Sequence, residues 1–273
     1  CQIKTYADLM QVQKEGKIGA VITVEEGGVY EGSIEKLHTL YDLGVRISTL
    51  TWNFPNELGF PNPAQEEGKP YLPDLENGLT PTGIAFVEEM ERLGIVIDLS
   101  HLNDAGIRDV FAHTRGPVIA SHSNARGACF HLRNLSDEMI RQLAERGGVT
   151  GINFCPSFLR EEEPATKKAS TMDMVRHMKY LRNVGGIDII GLGTDFDGFS
   201  GETDVPDTAH MQHLADVMSH DGFTDEEIEK MIADRQQARK DRNFALADEI
   251  RQKLLDMGII LEDTREGVKW KRA

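Results

Sequence analysis

Apolar runs of strand length recur along this 273-residue chain, and each is followed by spacing of helical period. Gly19–Val24, Val45–Leu50, Ile95–Leu99, Val118–Ala120, Val149–Phe154 and Ile189–Leu192 are rich in Val and Ile and lack strict alternation. That pattern predicts strands covered on both faces. Between them, Ile34–Leu43, Thr82–Leu93, Asn103–Ala112, Ser136–Glu145 and Thr171–Val184 carry helical spacing with start or stop signals. Ser136-Asp137-Glu138 opens one of these helices, and Gly147-Gly148 follows its end. Such alternation predicts a parallel sheet, either an eight-stranded barrel lacking its beginning and end or an open doubly wound sheet. The segment Asn53–Asn77, rich in Pro, Asn, Gly and Glu, predicts a long loop of the kind that is usually functional or mobile.

The pattern changes after Gly222. Thr224 and Glu227 form a capping box that predicts a helix to about Arg242. A second helix follows, with Phe244, Ala247, Ile250 and Leu254 on one face and Gly258 at its end. A short apolar run, Ile259–Leu261, and a basic end, Lys269-Trp270-Lys271-Arg272, complete the chain. The expected organisation is a (β/α) domain over residues 1–230 and a helical hairpin over 231–273.

Charge supports that division. Residues 233–273 hold 10 basic and 8 acidic side chains, a net of +2, whereas the preceding 232 residues hold 20 and 37, a net of −17. The formal charge of −15 argues against general binding to nucleic acid or to an anionic membrane surface. Cys1, Cys129 and Cys155 form no CxxC pair, so neither a disulfide framework nor a zinc–thiolate cage is expected. No apolar run approaches the length of a membrane span, and a cytoplasmic location is expected. The chain starts at Cys1, which leads to the expectation of N-terminal truncation.

Candidate chemistry lies where the strands end. Glu25 and Glu26 follow the first apolar run. His101 and His122 each follow a strand with one Ser before them. Asp195 and Asp197 lie in Gly193-Thr194-Asp195-Phe196-Asp197-Gly198, after the sixth run. In a parallel barrel all of these positions share the C-terminal rim, where active sites are built. Imidazoles and carboxylates converging there form a zinc-compatible set. A single histidine after a strand is more often a hydrogen-bonded core residue than a ligand. Two Ser-His steps in successive units make the metal reading as strong as that alternative. Glu25 and Glu26 also fit a solvated pair, and Asp195 and Asp197 ordinary turn carboxylates. Arg133 suits a bidentate carboxylate clamp or a helix-start ion pair equally well. His38, His113, His131, His177, His210, His213 and His220 have no comparable placement and read as surface or helix residues.

From about Lys17 to Lys230 these residues resemble the membrane (renal) dipeptidase family. The resemblance is carried by Val24-Glu25-Glu26-Gly27-Gly28, Gly78-Leu79-Thr80-Pro81-Thr82-Gly83 and Ile97-Asp98-Leu99-Ser100-His101. Ala120-Ser121-His122-Ser123-Asn124-Ala125, Leu132-Arg133-Asn134-Leu135 and Gly191-Leu192-Gly193-Thr194-Asp195-Phe196-Asp197-Gly198 carry it further. It implies a (β/α)8 TIM-type barrel with two zinc ions, at least one of them expected here, and hydrolysis of dipeptides, some with a D-residue second. It also implies that Glu26 bridges the metals, that His101 and His122 complete the second zinc site, and that Asp195 orients water and accepts its proton. Arg133 would hold the dipeptide's terminal carboxylate. The family's His-x-Asp pair has no counterpart before Glu25, which implies impaired hydrolysis. Trp52 stands where some members carry a substrate-binding His.

Residues 228–272 are similar to the C-terminal end of cysteinyl-tRNA synthetase. The matching stretches are Ala238-Arg239-Lys240, Ala247-Asp248-Glu249-Ile250-Arg251, Gly258-Ile259-Ile260-Leu261-Glu262-Asp263-Thr264 and Lys269-Trp270-Lys271-Arg272. This implies a fusion of two gene fragments, with tRNA binding through Trp270 and its basic neighbours as the alternative function. A homodimer is among the assemblies the sequence leaves open.

Overall fold

Most crossover helices of this chain begin where a short polar side chain captures a free backbone N–H. The computed structural model describes residues 1–161, 168–221, 236–237, 240, 243–256, 259–264 and 267–272. Ser33 caps α2 (Ile34–Leu43), Thr80 caps α3 (Pro81–Leu93), Asn103 caps α4 (Asp104–His113) and Ser136 caps α5 (Asp137–Glu145), each accepting from the third residue of its helix. Gly44 and Gly94 end α2 and α3 in the left-handed conformation that glycine adopts without steric cost. An additional helix, α1 (Tyr6–Lys14), precedes them and starts at a capping box between Thr5 and Asp8.

The strands between the helices form one parallel sheet. β1 (Ile22–Glu25), β2 (Val45–Thr49), β3 (Val96–Asp98), β4 (Ile119–Ala120), β5 (Val149–Ile152) and β7 (Ile190–Leu192) lie side by side in that order, and the two-residue strands β6 (Lys168–Ala169) and β8 (Glu202–Thr203) are not part of this sheet. This order decides between the two architectures the sequence left open. A doubly wound sheet reverses direction at a switch point, whereas a barrel adds each strand beside the last. Here each strand pairs with its predecessor in the sheet without reversal, and the chain has the α/β fold of a TIM-type barrel. The outer strands each have one neighbour among the described residues, and Ile22 and Leu192 on them are exposed.

Behind the sheet, Leu37, Phe86, Met90, Val110, Ile140 and Leu143 are buried between helices and strands. The inner face is different. Thr49, Asp98, Ser100, Thr150 and Asn153 are all buried there and make hydrogen bonds, as buried polar groups must. Two close approaches hold this face together: a Cβ at Gly151 would lie 2.1 Å from the carbonyl oxygen of Ser121, and one at Gly193 1.9 Å from the same atom.

The chain divides into two compact units, Cys1–Ala169 with Arg176–Gly201, and Ser170–Val175 with Glu202–Ala273. The short helix α6 (Pro156–Leu159) belongs to the first, α7 (Thr171–Gly185) contributes to both, and α8 (Met211–Asp221) belongs to the second. The boundary expected at 230/231 and the helix expected from Thr224 fall almost wholly outside the described residues. Further on, α9 (Phe244–Asp256) occupies the expected position, with Ala247 and Leu254 buried and Phe244 exposed. The described part of the tail also holds a β-hairpin that the sequence reading did not include. After α9 come β9 (Ile259–Thr264) and β10 (Gly267–Arg272), paired antiparallel with Trp270 opposite Leu261. Val268 and Trp270 alternate with charged residues, a strand period that packs one face against Leu254 and Ile259.

Gly151→Ala is expected to destabilise the protein by about 3 kcal/mol, because the new methyl meets backbone on a neighbouring strand. Gly147→Ala, with no atom within 4 Å, is expected to cost only its left-handed strain, about 1 kcal/mol. Urea denaturation of both variants checks this, and equal losses would contradict the packing argument.

Candidate metal centre

Parallel strands deliver the residues that follow them to one edge. Glu25 is the last residue of β1, His101 comes three positions after β3, His122 two after β4 and Asp195 three after β7. His101 and Asp195 stand at φ of 70° and 57°, the left-handed region that non-glycine residues seldom occupy. Strained backbone of this kind concentrates at functional sites.

At the rim, His101 Nε2 lies 2.9 Å from His122 Nε2. Glu25 Oε1 lies 3.6 Å from the first nitrogen and 3.5 Å from the second. These three donors fit a divalent transition metal, since zinc bonds of roughly 2.0–2.1 Å at tetrahedral angles separate ligand atoms by about 3.4 Å. Burial pushes His101 from 6.5 down to about 3 and His122 to about 4, with the charge of Arg133 adding to both. Both rings are therefore neutral at pH 7, the form that ligates a metal. Glu25 remains half exposed on the open side of the cluster.

A cavity of about 840 Å³ extends from this cluster past Trp52, Tyr71, His131, Phe158 and Asp195. Arg133 lies in its wall, buried, with Nη1 lacking any hydrogen-bond partner and its guanidinium 5.6 Å from the centre of the Phe158 ring. Loss of water pushes Arg133 down to about 10, against the pull of Asp98, Asp195 and Glu25. A buried guanidinium with an unmet donor is costly unless an anion meets it. Asp195 Oδ2 accepts a hydrogen bond of 3.0 Å from Asn153 Nδ2, which turns the carboxylate toward the cavity it lines.

The structure therefore brings His101, Arg133 and Asp195 to one cavity, and sets His122 against His101 in a second pocket that shares Glu25 and Asp195 with the first. The carboxylate beside the histidines is Glu25, and not Glu26. Both carboxylates line the cavity, but Glu25 ends β1 beside the two imidazoles, whereas Glu26 is held by other partners. Glu26 caps the short helix Gly27–Tyr30. Its Oε1 accepts from Gly28 N at 3.0 Å and from Asn56 Nδ2 at 2.7 Å, which fastens the loop that follows β2. His131 is not a surface residue. It packs on Phe158 and faces the Tyr71 hydroxyl across 3.4 Å, and burial drives it down to about 4. His177 is wholly buried in α7. The long loop contributes Asn53, whose Oδ1 lies 3.0 Å from His101 Nδ1, and Tyr71. Its composition marked it as functional without indicating which residues reach the site.

Comparison with known proteins identifies the family. Residues 2–236 match the family profile described as membrane dipeptidase (peptidase family M19), and residues 221–270 match the cysteinyl-tRNA ligase anticodon binding domain. An uncharacterized protein of the pqqA 5′ region in Klebsiella pneumoniae is 31% identical over 226 residues, which cover 83% of this chain and 82% of that one. A crystal structure described as the dipeptidase AC, a metallo peptidase of family M19, superposes with a TM-score of 0.75 at 31% identity, over 82% of this chain and 66% of that one. A metallo peptidase from Rhodobacter sphaeroides, liganded with a phosphinate mimic of the dipeptide L-Ala-D-Ala, gives 0.76 at 30% identity, over 84% and 65%. The chain thus spans just under two thirds of the length of these two solved relatives. Among the described residues no helix is long and apolar enough to cross a membrane. With its family profile matched over most of its length and a metal-type cluster at the expected rim, the chain belongs to the membrane dipeptidase family, peptidase family M19.

Proposed function

We propose that this chain hydrolyses dipeptides with the help of zinc, taking substrates with a D-residue at the second position among them. The observation that carries the proposal is the cavity beside the cluster: one wall offers Glu25 and the neutral imidazole of His101, with His122 in contact behind them, and another offers a buried guanidinium with an unmet donor. A dipeptide has the two groups this arrangement needs, a carbonyl to be polarised and a terminal carboxylate to be held. Glu25, His101 and His122 would hold at least one zinc. When bound, zinc supplies Lewis acidity, which polarises a carbonyl and makes water acidic enough to attack near neutral pH.

The remaining roles fall to the protein. Arg133 would pair with the terminal carboxylate and so fix the peptide bond relative to the rim. Asp195, held by Asn153, would accept the proton of the attacking water and return it to the leaving amine. Trp52, Tyr71 and Phe158 would wall the site against bulk water. The ligand-bound Rhodobacter sphaeroides relative supports the choice of substrate class. A barrel over 1–230 and a separate module over 231–273 accompany this reading, supported by the two profile matches. Contact with tRNA is the second reading, favoured by the anticodon-domain match alone. Against it, Trp270 is half-buried on Leu254 and Ile259 and so has little face left for stacking.

Purified protein is expected to contain zinc by plasma mass spectrometry, and the double variant His101→Ala, His122→Ala to lose it. Metal-free protein from a chelator-free preparation would overturn the proposal. With L-Ala-D-Ala as substrate, Arg133→Met is expected to raise KM by roughly 10- to 100-fold, the loss of a charge-assisted hydrogen-bond pair. For the second reading, tRNA affinity should fall steeply with salt and vanish on removal of residues 233–273. Unchanged binding after truncation would exclude the tail.

A further inference from the structure

Behind His122 lies a buried carboxylate to which the proposed chemistry gives no role. Asp98 ends β3 and is buried. Its Oδ1 accepts from the backbone N–H groups of Ser100 at 3.0 Å and Ser121 at 2.8 Å. Its Oδ2 accepts from Thr49 Oγ1 at 2.8 Å and from Ser121 Oγ at 2.5 Å. The same Ser121 Oγ lies 2.7 Å from His122 Nδ1.

We propose that Asp98 and Ser121 are positioning residues that fix His122 as its Nδ1–H tautomer and so present the lone pair of Nε2 to the metal centre; this rests on the reading of the site as a metal centre. The argument is one of proton count. A carboxylate that accepts four hydrogen bonds has no proton to give. The Ser121 hydroxyl has one proton, and the short contact to Asp98 Oδ2 uses it. Ser121 therefore offers His122 only a lone pair, and Nδ1 must be the donor. Nε2 is then bare.

The other histidine obeys the same rule by a different device. Asn53 Oδ1 faces His101 Nδ1 at 3.0 Å, so that nitrogen also donates and its Nε2 is also bare. Two bare nitrogens 2.9 Å apart, with the Glu25 carboxylate beside them, repel one another unless a cation joins them. Support of this kind from behind a ligand orients the ring and is worth about 10- to 100-fold in metal affinity.

The test needs protein labelled with 15N at histidine. In the metal-free wild type, long-range 1H–15N correlation spectra should show His122 as the Nδ1–H tautomer. In Asp98→Asn the new amide donates to Ser121 Oγ and frees its hydroxyl proton for Nδ1, so the tautomer should reverse to Nε2–H. Ser121→Ala should lose the preference, and Ser121→Thr, which keeps the hydroxyl, should restore it. Zinc affinity by chelator competition should fall 10- to 100-fold in Asp98→Asn and Ser121→Ala and stay within about threefold in Ser121→Thr. Circular dichroism melts identify a variant that does not fold, and the remaining variants then decide. A wild-type Nε2–H tautomer, or affinities unchanged in Ser121→Ala, would overturn the proposal. A wild type with the Nδ1–H tautomer that binds no zinc would instead sink the metal-centre reading and leave the tautomer assignment standing.

Discussion

Hydrogen bonding between parallel strands forces their carboxyl ends onto a common edge, and the chemistry of this chain depends on that constraint. Glu25, His101, His122 and Asp195 are far apart in sequence and come from four different strands. No local motif could assemble them. What does is a sheet in which β1 to β5 and β7 add in order, so that each strand end lies beside the previous one. The register is specific enough to align functional rows: Glu25 pairs with Thr49, and Thr49 with Asp98. That row runs from a candidate metal ligand on β1 to the carboxylate that supports His122 from behind.

Such a site is costly to fold. His101 and His122 are buried without charge, Arg133 is buried with charge, and His101, Asp195 and Asp197 hold left-handed backbone at φ of 70°, 57° and 70°. Strain of this kind costs about 1–3 kcal/mol at each position. The surrounding hydrogen bonds hold the arrangement in place: four to Asp98, two to Glu26 Oε1, and the Asn153 contact to Asp195. Removing one partner from such a network leaves a buried group unmet, which is more destabilising than the bond was stabilising. Among the exceptions is Arg133 Nη1, a cationic donor without a hydrogen-bond partner among the described residues, on a side chain that lines the cavity. A buried charge left in that state in a cavity wall suits an anionic ligand.

Most of the architecture was legible in the sequence because its signals are local. Val- and Ile-rich runs gave all six strands of the sheet, and Ser136 marked a helix start that the structure bears out by its cap. The choice between Glu25 and Glu26 was less accessible. Motif shape favours the residue adjoining the glycine pair, but that carboxylate caps the Gly27–Tyr30 helix and accepts from Asn56, while Glu25 stands beside the histidines. No compositional signal records that difference. His131 was missed because its burial depends on Tyr71 and Phe158, which arrive from other segments. At the end of the tail an alternation went unread. Val268 and Trp270 alternate with lysines, a strand signal that basic composition obscured.

The edge position of Glu25 ties the proposed metal to the fold itself. His101 and His122 follow β3 and β4, which have paired neighbours on both sides. Glu25 stands on β1, an outer strand whose pairing with β2 carries an irregularity between Ile22 and Thr23, and its side chain is half exposed. Fraying of β1 would withdraw the carboxylate while leaving both imidazoles in place. A cation held by all three would link this outer strand to two interior ones and resist that opening. Binding that favours the closed form stabilises it in proportion to RT ln(1 + [L]/Kd), about 2.7 kcal/mol at a hundredfold excess over Kd. On this argument metal and sheet would stabilise one another: the parallel register brings the candidate ligands together, and an ion bound there would hold β1 in that register.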